Sequence, residues 1–123
     1  MRAPNYEIVQ DECSILIFVH IQECISLRNT SDFLSGFSEQ ERTYIETKAS
    51  GADSLSARYA AKIGAEIISR IPWNQFEVAR SNEGAPQLIG RSLAASNYLK
   101  LHPVLLSLAH DEPLAIAYLY KNS

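Results

Sequence analysis

Cysteine is scarce in this sequence. Cys13 and Cys24 are the only two, and they show neither Cys-x-x-Cys spacing nor histidines at zinc-finger distances. A disulfide framework and a structural zinc module are therefore excluded, and two free thiols are expected. Long apolar runs are missing as well. The longest, "ILIFV" at 15–19, has the length of a strand and runs into His20 and Gln22, so no membrane span is expected. Positive charge is not in excess either: the formal net charge is −3 and the pI is near 5.6. With no basic stripe and no block of like charge, nonspecific nucleic-acid binding and tail-mediated capture are disfavoured. The opening "MRAPNYEIVQDEC" lacks the apolar core of a signal peptide, which makes the cytoplasm the expected location.

What is present is the composition of a folded domain, with 46% apolar and 20% charged residues in a length suited to one core, residues 1–123. "SILIFVHI" (14–21) reads as a buried strand. "NTSDFLSGF" offers caps for a short helix. "SEQERTYIETKA" (38–49) reads as a better one, with Ser38 and Glu41 spaced as a capping box. The longest helix follows the break at Gly51, with Asp53 as its cap and Pro72 as its stop. Leu55, Tyr59, Ile63, Ile67 and Ile71 make its apolar stripe. Arg58, Lys62, Glu66 and Arg70 make a parallel charged stripe, read as a solvated ladder of ion pairs. "QFEVARS" (75–81) and "PQLIG" (86–90) form a strand pair, a helix spans 92–101 up to Pro103, and "VLLSLAH" (104–110) pairs with "LAIAYLYK" (114–121). The expected fold class is α+β, an antiparallel sheet packed against one long helix and shorter helices.

Three phrases carry a resemblance: "FSEQERTYIE" (37–46), "LSARYAAKIGA" (55–65) and "LLSLAHDEPLAIAYL" (105–119). The first is similar to a pattern of phenylalanine, small residue, Glu-x-Glu and tyrosine. The second is similar to an Arg-aromatic-Ala-Ala-Lys-Glu-Ala helix, the third to a Ser-x-x-His strand followed by a small-residue strand. Between them, "WNQFEVARSNEGAPQLIG" (73–90) keeps Trp73, a hairpin and Pro86. Together they resemble the holo-acyl-carrier-protein synthase family of 4′-phosphopantetheinyl transferases, over roughly residues 14 to 119.

The resemblance implies transfer of the phosphopantetheine arm of coenzyme A to a serine of an acyl carrier protein. Positioning and neutralisation of charge on the pyrophosphate would dominate such chemistry. It also implies a homo-oligomer, typically a trimer with sites between subunits. By resemblance the cofactor-binding residues are Arg58, Lys62, Ser107, His110 and Pro86, and the catalytic candidates are His110, Lys62 and His20.

The sequence departs from the family where the magnesium carboxylates are expected. In "FVHIQE" (18–23), Phe18 stands for a glycine and His20 for the aspartate, with Glu23 retained; in the helix, Ile63 stands for the glutamate. Ile67 replaces a lysine one turn on, and Ala85 replaces the lysine of a Gly-Lys-Pro phrase. Imidazole is a poor ligand for a hard cation and isoleucine is none, so no metal ligands are assigned and magnesium is not expected. Ile63 reads as core, Trp73 as a core anchor, and Glu39–Glu46 as a solvated helix face. The acidic residues there weaken attraction for an acidic carrier protein.

Three functions remain open. One is divergent transfer of phosphopantetheine, resting without a metal on Arg58, Lys62 and His110. A second is a catalytically degenerate module that binds a carrier protein, a biosynthetic enzyme or a sister subunit. The third is reuse of the cleft, with His20 and His110 as acid and base.

Overall fold

The computed structural model of the protein describes residues 4–28, 30–47, 51–80 and 84–121. Strands β1 (Tyr6–Gln10) and β2 (Ser14–His20) form a hairpin, followed by α1 (Ile21–Leu27), α2 (Ser31–Leu34), α3 (Glu39–Thr47) and α4 (Gly51–Ser69). A 3-10 turn at Trp73–Gln75 leads to β3 (Phe76–Arg80) and β4 (Pro86–Gly90). Then come α5 (Leu93–Leu101), β5 (Val104–Asp111) and β6 (Leu114–Lys121). β1-β2-β6-β5 make one four-stranded antiparallel sheet, and β3-β4 a separate antiparallel pair. The expected α+β architecture and both C-terminal strand pairs are present.

Three local expectations change. The strand ends at His20 rather than Ile21, because Ile21 opens α1 and its amide donates to the Pro113 carbonyl (3.0 Å). Asp53 does not cap α4: the helix starts at Gly51, so Asp53 lies in its first turn. β1 is an extra edge strand, exposed along its whole length, whose weak burial pattern hid it. The expected helix end at 48–49 and the hairpin-link residues 82–83 lie outside the described residues.

β2 and β6 alternate as half-buried sheet strands should. Ile15, Ile17 and Val19, with Ala115, Ala117 and Leu119 beside them, face α4 and are fully buried. α4 approaches so closely that a Cβ on Gly64 would lie 2.6 Å from Leu119 Cδ1. The helix is enclosed from Leu55 to Ala65, with every residue buried. The sheet covers one side, and α1, α3, β3 and the 3-10 turn cover the others. Ala57, Ala60, Ala61, Gly64 and Ala65 make this possible by keeping all sides slim. On the far side Phe33, Phe37, Tyr59 and Trp73 stack in edge and tilted geometries; Tyr59 and Trp73 centroids are 5.2 Å apart.

The enclosed helix overturns the solvated ladder. Arg58 and Lys62 are buried, and Glu66 accepts the amide of Trp73 (2.9 Å) instead of bridging its helical neighbours. Glu41, expected on a solvated face, is buried too. Both cysteines are free, as expected: Cys24 is buried and Cys13 exposed.

At the β4–α5 junction, a Cβ on Gly90 would sit 2.2 Å from the Ser96 amide nitrogen and 2.6 Å from the Ala95 carbonyl carbon. Those are backbone atoms and cannot step aside. Gly90→Ala should therefore lose about 1–3 kcal/mol, more than the ~0.4–1 kcal/mol gained by stiffening the unfolded chain. Chemical denaturation of both proteins checks this.

Candidate functional site

The capping box predicted from Ser38 and Glu41 forms: the Glu41 amide donates to Ser38 Oγ (3.1 Å), and Glu41 Oε1 accepts from the Ser38 amide (3.0 Å). The same carboxylate does more. Oε1 also receives Lys62 Nζ at 2.5 Å, Oε2 accepts the Val78 amide at 3.1 Å, and Arg58 Nε stands 3.8 Å from Oε2. One buried charge thus joins α3, α4 and β3. Lys62 Nζ donates a second bond to the Gly36 carbonyl (2.8 Å) and lies 4.0 Å from the Phe37 ring centroid. Burial lowers its pKa to about 8, against the pull of Glu41 in the other direction.

Lys62 is fully enclosed, and its ammonium is held by the Glu41 carboxylate and the Gly36 carbonyl. Arg58 behaves differently. Its side chain is buried and desolvation lowers its pKa, yet the residue lines a cavity of about 310 Å³. Nη1 donates to Ser54 Oγ (2.6 Å), the guanidinium carbon lies 4.3 Å from the Tyr44 ring centroid, and Nε has no hydrogen-bond partner. Arg80, at the end of β3, and His110, near the end of β5, line the same cavity, with Asp53 as its acid among the described residues. Arg80 Nη1 donates to the Gly84 carbonyl (2.7 Å), and its guanidinium carbon lies 5.3 Å from the Tyr44 centroid. His110 Nε2 is 3.5 Å from Asp53 Oδ2. The concave wall is cationic and suits a phosphate or another compact anion.

Strand parity decides where the other candidates point. Directly paired residues share a face: Ser107 pairs with Tyr118 and His110 with Ala115. Three residues apart on a period-two strand, Ser107 and His110 face opposite sides, and only His110 turns toward α4. His20 pairs with Leu114, as does Asp111, so it also lies on the face away from His110. Within one chain, His20 and His110 do not converge as an acid–base pair. Pro86 does not line the cavity but lies directly across from Arg80.

The residues present do not fit a magnesium ion. Ile63 is packed in the core with no donor atom, His20 is an exposed imidazole, and the described residues contain no convergent group of three His, Cys, Asp or Glu side chains. Arg80 and Asp53 were not among the sequence candidates. The available signals were an arginine closing a strand beside a hairpin and an acid five residues before the motif arginine.

No protein-family model matches the chain. It is similar to a holo-[acyl-carrier-protein] synthase of Cytophaga hutchinsonii, 30% identical over 121 residues, covering 86% of this chain and 95% of the relative. The synthase of Geotalea daltonii is 27% identical over 106 residues, 80% of this chain and 85% of the relative. Among solved structures, the synthase of Neisseria meningitidis superposes with a TM-score of 0.75 at 17% identity, covering 90% of this chain and 98% of that one. The Helicobacter pylori synthase, solved in complex with coenzyme A, gives 0.71 at 20% identity, covering 87% and 97%.

Removing Lys62 would strand the Glu41 carboxylate. Lys62→Met should cost about 3–5 kcal/mol, far beyond the ~0–1 kcal/mol of a surface pair, and adding Glu41→Gln should restore part of it. The pH signature follows from the lowered pKa. Between about 8 and the ordinary 10.5, the unfolded chain holds a proton on Lys62 that the folded chain does not. Stability from this group therefore rises with pH across that window, and its penalty is fully present below it. Denaturant midpoints at pH 8 and 10 should show this rise for the native protein relative to Lys62→Met.

Proposed function

The chain belongs to the holo-acyl-carrier-protein synthase family, and on that premise we propose that it binds coenzyme A and transfers the phosphopantetheine arm to a serine of an acyl carrier protein. The observation that carries this reading is the convergence of Arg58, Arg80 and His110 on one pocket. In place of carboxylate-held magnesium, protein cations stabilise the charge on the coenzyme's phosphates, and the pocket's walls position it. Arg80 lines this pocket, whereas Lys62 does not.

A second reading, a family member that binds these partners without transfer, is favoured by one observation. Ile63 is sealed in the core and His20 is exposed, where the resemblance calls for two carboxylates. One experiment separates the readings. Incubation with coenzyme A and a panel of apo acyl carrier proteins, with and without divalent metal, should raise the carrier's mass by one phosphopantetheine arm. Arg80→Ala, an exposed residue, should weaken coenzyme A binding about 10–100-fold, the equivalent of one charge-assisted bond, with no change in melting temperature. Coenzyme A binding by calorimetry without any mass gain selects the second reading; neither binding nor mass gain removes both.

The outer face of the sheet supports a homo-oligomer, a trimer by resemblance. Val9, Leu16 and Tyr118 form one cross-strand row, Phe18 and Ile116 another, and Leu105 pairs with Tyr120. No described helix covers this face, and Leu105 remains 63% exposed and Val9 59%. We infer that this apolar face packs against neighbouring subunits. Ser107 lies in the same row as Tyr118, so a site built across the interface would bring it to a neighbour. Sedimentation should give three times the chain mass, and Leu105→Glu with Tyr118→Glu should give the single-chain mass with the secondary structure retained. A native protein that sediments as one chain excludes the oligomer.

A further inference from the structure

We propose that Asp53 is a positioning residue for the anion pocket: it holds the His110 imidazole by Nε2, leaving the other ring nitrogen to meet the ligand. This rests on the reading of that pocket as the site of a nucleotide phosphate. A carboxylate lining a pocket for anions opposes binding by its charge, so its presence needs another reason. The geometry supplies one. Asp53 Oδ2 is 3.5 Å from His110 Nε2, and the two side chains differ sharply in exposure, 15% against 53%. The sheltered acid therefore fixes a residue that would otherwise be free to turn into solvent.

Asp53 is itself fixed by its place. It lies in the first turn of a 19-residue helix, where the aligned peptide dipoles favour a carboxylate. Its neighbour Ser54 acts in parallel, since its hydroxyl accepts Arg58 Nη1 at 2.6 Å. The dipeptide Asp53–Ser54 thus orients two of the pocket's polar walls from one rigid turn. With Nε2 facing the Asp53 carboxylate at 3.5 Å, the opposite nitrogen is the one left to a ligand.

Two measurements test this. In nitrogen NMR of the ligand-free protein, His110 should carry its proton on Nε2, and Asp53→Asn should change the ring-nitrogen signals. In calorimetry with adenosine 3′,5′-bisphosphate as probe, Asp53→Asn should weaken binding about tenfold, roughly 1.4 kcal/mol, and Asp53→Glu should recover most of it. In a His110→Ala background, Asp53→Asn should change nothing further, because the two act as a unit. A merely structural role would lower the melting temperature and weaken binding equally in both backgrounds. Unchanged or tighter binding in Asp53→Asn, equal losses in both backgrounds, or identical ring signals in the two proteins would each overturn the proposal. If the native protein binds no probe, the functional reading fails, and the ring signals alone decide the role of Asp53.

Discussion

The Glu41 carboxylate is the constraint on which the rest of the molecule is arranged. It accepts bonds from its own helix cap, from a lysine 21 residues away and from a strand amide 37 residues away. A buried charge is tolerated only when its lone pairs are met, so those partners must arrive together. The α3–α4–β3 arrangement follows from that requirement as much as from apolar packing. The clamp also reaches the cavity, because Arg58 both faces Glu41 and lines it. The interior charge and the cavity wall share one side chain, and in that sense folding builds the pocket.

The pocket itself is assembled from ends. α4 contributes its first turns, β3 its last residue and β5 its penultimate one. Element ends bring polar side chains together without interrupting helix or sheet hydrogen bonding, and a long helix start adds a favourable dipole. Parity then sorts the motif residues of β5 onto two sides. His110 faces the pocket of its own chain, and Ser107 faces the bare side of the sheet. A phrase that looks like one site in sequence is, on a strand, two addresses.

Much of this was legible without coordinates, for physical reasons that can be named. Strand alternation, the Ser38–Glu41 box and the stops at Pro72 and Pro103 are local signals, and they placed α3, α4, α5 and both C-terminal hairpins to within a few residues, whereas α1 carried no signal that was read. The stripe through Ile63 was legible as core because its period matched a helix. Lys62 was misread because its partner is distant in sequence, whereas Glu66 and Arg70 stood at the spacing of a surface ladder. The clue that outweighed it was the run of small residues, Ala57 to Ala65, which marks a helix enclosed on every side. Arg80 and Asp53 carried only weak local signals, a strand-closing arginine and an acid at a helix start, and their convergence is visible only in three dimensions.

Ile63 is firmly built into the apolar core. Its side chain is 3% exposed and belongs to the same cluster as Tyr59, Ala60 and Ile17. A glutamate there would place a carboxylate against apolar neighbours, and the described interior cations are already committed, Lys62 to Glu41 and Gly36, Arg58 to Ser54 and the pocket. The desolvation of an unpaired charge exceeds the loss of an isoleucine's packing, so restoring one expected ligand alone would cost stability without completing a metal site. His20, exposed at the end of β2, supplies no second carboxylate to share the ion. The cations lining the cavity are held separately: Arg58 by Ser54 beside Glu41, Arg80 by the Gly84 carbonyl, and His110 facing Asp53.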